Sequence, residues 1–251
     1  MAWFKRKPKK LDNNSLKYGV GLVTYDDPSG MVSEQFKTIR TNIQFSSVGE
    51  ELHSIMFTSS EPSEGKSTVS NNVAVTYADQ GTRVILMDAD LRCPTVHKTF
   101  GVSNRFGLSG YLAGNASLDE IIQPTMVDGL SVISSGPVPS NPSELLTSSK
   151  MATLLDDLKE KADLLIVDAP PVNTVTDAQL LGARVDGTIL VVPQGIAVKA
   201  GVRRAKKSLE IVHANILGAI MNRVTAQKSG GYYGGYYGGN YGGYYGTEDK
   251  K

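Results

Sequence analysis

The sequence predicts an α/β fold, a three-layer domain with a mostly parallel central sheet, preceded by a helical extension and followed by a flexible Tyr/Gly-rich tail. Short apolar stretches alternate with amphipathic ones from about residue 52 to 224, the order produced when parallel strands are joined by crossover helices. A loop ending in GKST stands between one such strand and a helix, and two of the other strands end in aspartates. Those are the places where an open parallel sheet gathers its ligands.

Composition sets the frame. The 251 residues are 40% hydrophobic, sufficient for a substantial core. Against 26 basic side chains stand 25 acidic ones, a net charge of +1 that gives no reason to expect a specific nucleic-acid partner. The single cysteine, Cys93, excludes an internal disulfide or a multi-cysteine metal site, fits a reducing cytoplasm, and reads as a small buried hydrophobe. His53, His97 and His213 lack zinc-like spacing.

Taken in order, residues 1–30 read as a flexible basic leader. Lys5, Arg6, Lys7, Lys9 and Lys10 surround Pro8 beside Trp3 and Phe4, with no apolar run of signal-peptide or membrane-span length after them. Such a segment either rests against anionic lipid or stays solvated. Residues 31–51 hold an amphipathic helix, because Val32, Phe36, Ile39 and Ile43 recur at helical spacing. The domain proper, 52–224, opens with the strand HSIMFTS and the loop SEPSEGKST. In the next helix Val69, Val73 and Tyr77 return every four residues until Gly81 stops it. TRVILMDAD and LSVISS follow as strands, and the prolines of GPVPSNPSELL set a turn-rich loop. A helix from Ser149 to Lys161 leads to the strand DLLIVDAPP. Beyond it DGTILVVP and ANILGAIMN are strands separated by the helical GVRRAKKSLEIV.

The chemistry concentrates in four places. Around Gly65, Lys66 and Ser67, backbone N–H groups at a helix N-terminus can cradle phosphates, the lysine can neutralise them, and the hydroxyl can reach Mg²⁺. Ser60 occupies the position where the general phosphate-loop pattern has its first glycine. Asp88 and Asp90, two apart on a strand end, point to one side, and Asp168 ends the next strongly apolar strand. Three strand-end carboxylates suit a water-rich Mg²⁺ beside a triphosphate. On the alternative reading GKST is a surface turn, and Asp88 or Asp90 a plain surface acid with only Asp168 in the metal shell.

Residues 225–251 form the tail. Between Gly230 and Gly246 lie nine glycines and seven of the chain's eleven tyrosines, with no aliphatic side chain. Such a composition cannot offset the entropy of ordering itself. Read alone, the tail could be adhesive, a partner's ligand, or an enzyme's substrate.

In their order, TSSEPSEGKST, VILMDADLR, LLIVDAPP, GPVPSNPSELL, VNTVTDAQL and the terminal tyrosine cluster resemble the bacterial tyrosine kinases of capsular and exopolysaccharide biosynthesis, which use a P-loop NTPase fold. The resemblance spans nearly the whole chain and implies autophosphorylation with ATP and Mg²⁺. Glu64, Gly65, Lys66, Ser67 and Thr68 would hold the nucleotide phosphates, and Asn222 the base. Ser67, Asp88, Asp90 and Asp168 would serve the metal, with Asp88 as hydroxyl-positioning acid or base. The acceptors would be Tyr232, Tyr233, Tyr236, Tyr237, Tyr241, Tyr244 and Tyr245. The family's E-x-x-R-x-x-R motif appears as Glu34, Lys37 and Arg40 and resembles contacts that build a ring-shaped homo-oligomer; lysine replaces its first arginine. The same resemblance implies a separate transmembrane, polysaccharide co-polymerase-like activator, a cognate tyrosine phosphatase, and a cytoplasmic protein recruited to the inner face of the cell membrane. Two rivals stay open. One is a MinD- or ParA-like switching ATPase, although Glu61 stands where those proteins carry a second lysine. The other is a non-catalytic ATP-binding regulator of polysaccharide assembly.

Overall fold

The computed structural model describes residues 14–46 and 51–224. Two short helices, α1 (Ser15–Tyr18) and α2 (Val23–Asp26), precede the long α3 (Met31–Ser46). The domain begins with β1 (Ser54–Ser59), α4 (Lys66–Ala78), β2 (Val84–Asp88), α5 (Val96–Phe100), α6 (Leu108–Leu112) and α7 (Leu118–Ile121). It continues through β3 (Ile122–Pro124), β4 (Leu130–Ile133), α8 (Pro142–Thr147), α9 (Ser149–Lys161) and β5 (Leu164–Asp168). α10 (Asp177–Gly182), β6 (Gly187–Pro193), α11 (Lys199–Ile211) and β7 (Ile216–Asn222) complete it.

The seven strands form one sheet in the order β3-β4-β2-β5-β1-β6-β7. Every pairing is parallel except β3 with β4. Sequence reading missed β3, a three-residue edge strand ending in Pro124, too short for a periodic signal and placed where a missing N–H does no harm. Side-chain alternation sorts the core into two layers. Ile55 and Phe57 pack with α3, α4 and α5, while Met56 between them packs with α9, α10 and α11. Both faces are therefore covered, which is why the inner strands read as unbroken apolar runs. The chain leaves β1 for β2 on one side and later returns to β6 on the other, so the loop after β1 opens at a switch point of the sheet.

The leader departs from expectation. Residues 1–13 lie outside the described residues, but from Asn14 onward the segment is folded against the domain. Thr24 is buried, and its backbone N–H and hydroxyl both donate to Asn72 Oδ1, at 3.0 and 2.9 Å. Asn72 in turn donates to Gly21 O at 2.9 Å. A side-chain amide from the middle of α4 thus pairs the polar groups of Thr24 in the first turn of α2 and the Gly21 carbonyl just before it. No helix among the described residues is long and apolar enough to cross a membrane.

Candidate active site

β1 delivers the chain to the phosphate loop, and two left-handed residues shape it: Ser63 at φ 61° and Gly65 at φ 97°. Such turns point successive N–H groups into one concavity. Gly65 cannot be replaced cheaply, since a Cβ there would lie 2.1 Å from Asn222 Nδ2. As N-cap of α4 it offers no side-chain acceptor, leaving the first-turn N–H groups for an anion. Glu64 ties the loop to itself. Its buried carboxylate accepts from Ser60 N, Ser60 Oγ and Glu61 N at 2.8, 2.8 and 3.0 Å. Ser60, standing in the glycine position, is thereby one of the groups that brace the loop. Thr68, half-buried, sits in the first turn of α4.

Lys66 reaches across the strand ends. Its ammonium lies 2.9 Å from Asp90 Oδ2, 3.5 Å from Asp168 Oδ1 and 3.3 Å from Ser67 Oγ, and the Ser67 hydroxyl also bonds Asp168. Asp88 Oδ2 accepts from Thr95 N and Val96 N, both at 3.0 Å, and Oδ1 accepts from Asp90 N at 3.3 Å. Asp90 Oδ1 accepts from Cys93 N at 3.0 Å. All four charged groups are buried. The sequence-predicted acids therefore do converge, although they arrive from β2 and β5, two paired strands.

The cluster is unbalanced, with three carboxylates around one ammonium. Burial alone would lower the Lys66 pKa, but Asp168 and Asp90 overcome it and hold the ammonium above the ordinary lysine value. Burial raises Asp90 as well, yet Lys66 beside it wins and keeps that carboxyl below the usual range. Asp88 is pushed up to about 8 by burial and then by Asp168, against the pull of the Val96 N–H. Asp168 is likewise raised, chiefly by burial, and its Oδ2 is buried with no hydrogen-bond partner. A buried orphan oxygen in an acidic cluster fits a cation. No three acidic, histidine or cysteine groups among the described residues converge into a metal cage. Mg²⁺ needs none, since one or two carboxylates with phosphate oxygens and water suffice.

The remaining predicted residues divide. Asn222 donates from Nδ2 to Glu64 O at 3.2 Å, so it abuts the phosphate loop at the end of β7. Glu34 and Lys37 pair with each other at 2.7 Å on the exposed side of α3. Arg40 instead turns inward, 7% exposed, and donates from Nη1 to Thr76 O, while its Nε has no partner. The reason is geometric: each i,i+3 step falls about 60° short of a full turn, whereas Phe36, Arg40 and Ile43 share one stripe. Cys93 is exposed, correcting the expectation of a buried hydrophobe. Its backbone is tied to Asp90, which leaves the side chain on the outer surface of the loop. The seven tail tyrosines lie outside the described residues.

A family model described as ParA, NUBPL iron-transfer P-loop NTPase, matches residues 52–232. The tyrosine-protein kinase YwqD of Bacillus subtilis is 40% identical over 235 residues, covering 93% of this chain and 96% of that protein. The putative tyrosine-protein kinase CapB of Staphylococcus aureus is 40% identical over 212 residues, 84% of this chain and 93% of that one. Among solved structures, the kinase domain of the Escherichia coli tyrosine kinase ETK superposes with a TM-score of 0.77 at 34% identity, covering 92% of this chain and 89% of that one. MinD of Pyrococcus horikoshii, complexed with Mg-ADP, shares the fold at a TM-score of 0.61 and 25% identity, over 70% of this chain and 72% of its own.

Proposed function

The chain belongs to the bacterial tyrosine kinases, within the wider ParA-type P-loop NTPases, and from that premise we propose that it transfers the γ-phosphoryl group of ATP to tyrosines of its own tail, in the service of capsular or exopolysaccharide biosynthesis. The observation that carries the reading is the surplus of buried carboxylate around Lys66, with Asp168 Oδ2 unpartnered.

In this reading the loop from Ser63 to Thr68 holds the β- and γ-phosphates, and Lys66 exchanges its carboxylate partners for phosphate oxygens. Ser67, Asp90 and Asp168 would hold Mg²⁺, with Asp88 beside them, and the ion would supply neutralisation of charge on the phosphates. Asp88 orients the tyrosine hydroxyl and receives its proton as the new P–O bond forms and ADP departs. Positioning and charge stabilisation still supply most of the acceleration in phosphoryl transfer.

Glu61 weighs against the switching-ATPase alternative. Where those proteins carry a second lysine, this acid accepts from Asn173 Nδ2 at 3.2 Å and pairs with Arg204 at 3.4 Å, tying the phosphate loop to α11. Self-association through α3 is supported by the exposed Glu34–Lys37 pair alone, since Arg40 is turned into its own domain. Within the same proposal, the cytoplasmic part of a separate membrane protein activates the kinase at the inner face of the membrane, and a phosphatase reverses the tail modification. The test is to incubate the purified chain with MgATP, with and without such an activator fragment, and map phosphotyrosine by peptide mass. Phosphate on residues 232–245, absent in Lys66→Met and in a deletion after Arg223, is expected. Phosphate release without phosphotyrosine would favour the switching ATPase.

A further inference from the structure

Three loops that leave strand ends on one side of the site are fastened to one another by a single charged cluster. Arg92 stands in the loop between β2 and α5, Ser143 in the first turn of α8, and Asp177 at the start of α10. Arg92 Nε donates to Asp177 Oδ2 at 3.0 Å, while its Nη2 lies 3.4 Å from Asp177 Oδ1 and 3.3 Å from Ser143 Oγ. The Ser143 hydroxyl donates to Asp177 Oδ1 at 2.6 Å. Asp177 is fully buried, yet both its oxygens are hydrogen-bonded and its charge is matched. The fork of a guanidinium on a carboxylate fixes distance and orientation together.

What this cluster holds in place matters more than its own stability. The loop from Asp90 to Val96 is the scaffold of two site acids. Its Thr95 and Val96 N–H groups grip Asp88 Oδ2, and its Arg92 and Cys93 N–H groups reach Asp90 Oδ1. The Arg92 side chain is the strut that ties this scaffold to α8 and α10. The strut joins segments that follow β2, β4 and β5, whereas the phosphate loop follows β1 and abuts β7 through Asn222.

We propose that Arg92, Ser143 and Asp177 form a positioning clamp for tyrosine transfer, holding the loop that carries Asp88 and Asp90 in register, while the phosphate loop keeps its own separate contacts. The clamp rests on the kinase reading above. It gives one physical role to the arginine of DADLR, the serine of NPSEL and the aspartate of TDA.

Removing Arg92 alone strands a buried carboxylate, so the informative set is Arg92→Gln, Asp177→Asn and the double variant R92Q/D177N, which leaves no orphan charge. Each is checked by thermal melting, then assayed in the full chain for tail phosphorylation, MgATP KM and phosphate release to water. The clamp predicts that tyrosine transfer falls at least about tenfold in all three, including the double variant, with MgATP KM changing much less than transfer and phosphate release to water falling less. Arg92→Lys recovers little, because an ammonium cannot reproduce the fork. A folded variant transferring at the wild-type rate would overturn the proposal, as would a KM that climbs in step with the loss of transfer. Absence of phosphotyrosine in the wild-type chain would instead sink the kinase reading, and the clamp with it.

Discussion

Asp168 and Asp177 are equally buried, yet they sit in opposite electrostatic situations. Around Asp168 three carboxylates share one ammonium, and one of its oxygens has no partner. Around Asp177 one guanidinium and one hydroxyl answer one carboxylate, with both oxygens bonded. Burial alone does not mark a catalytic acid. A surplus of like charge that the fold leaves uncompensated marks a place for a ligand, whereas a balanced buried charge marks a brace.

The same chemical change should therefore act differently at the two positions. Asp168→Asn is expected to cut tail phosphorylation on the order of 100- to 1000-fold while leaving the nucleotide-free melting temperature level or higher, since it relieves carboxylate crowding. Asp177→Asn is expected to cost stability as well as transfer, about 1–3 kcal/mol, the figure moderated by the partial exposure of Arg92. Melting curves with parallel phosphotyrosine assays check both. Equal stability losses at the two sites would break the distinction.

pH sharpens it further. Asp88 holds its proton to about 8 in the folded, nucleotide-free chain, whereas an unfolded aspartate releases it near 4. The folded state thus binds more protons across that window, and its stability should decline as pH rises from about 4 to about 8. Asp88→Asn should flatten the decline in thermal melts, and an unchanged slope would argue against a crowded Asp88. The smallest effect on the monomer concerns the exposed Glu34–Lys37 pair of α3. Glu34→Ala should alter sedimentation mass far more than it alters melting or tail phosphorylation by the activated chain. Unchanged sedimentation mass would count against self-association through α3.

The candidate-site half of this picture was legible in the sequence because it is local. GKST between a strand and a helix, and aspartates at strand ends, state their chemistry within a few residues. The brace was not legible: Arg92, Ser143 and Asp177 meet only after α8 and α10 fold over the strand ends, and no short-range pattern couples them. The docking of the segment around Thr24 was hidden for the same reason, since its partner Asn72 reads as an ordinary polar residue in a helix. Arg40 carried a usable signal in its place between Phe36 and Ile43, but a motif spaced three apart drew attention to the other side of α3.

Single-turnover transfer of γ-labelled phosphate in Asp88→Asn, with MgATP affinity measured on the same preparation, tests the central claim most directly. If the uncompensated acids are the catalytic centre, nucleotide binding stays within a few-fold and transfer to tail tyrosine slows about 100-fold or more. Transfer at the wild-type rate in that variant would contradict the account.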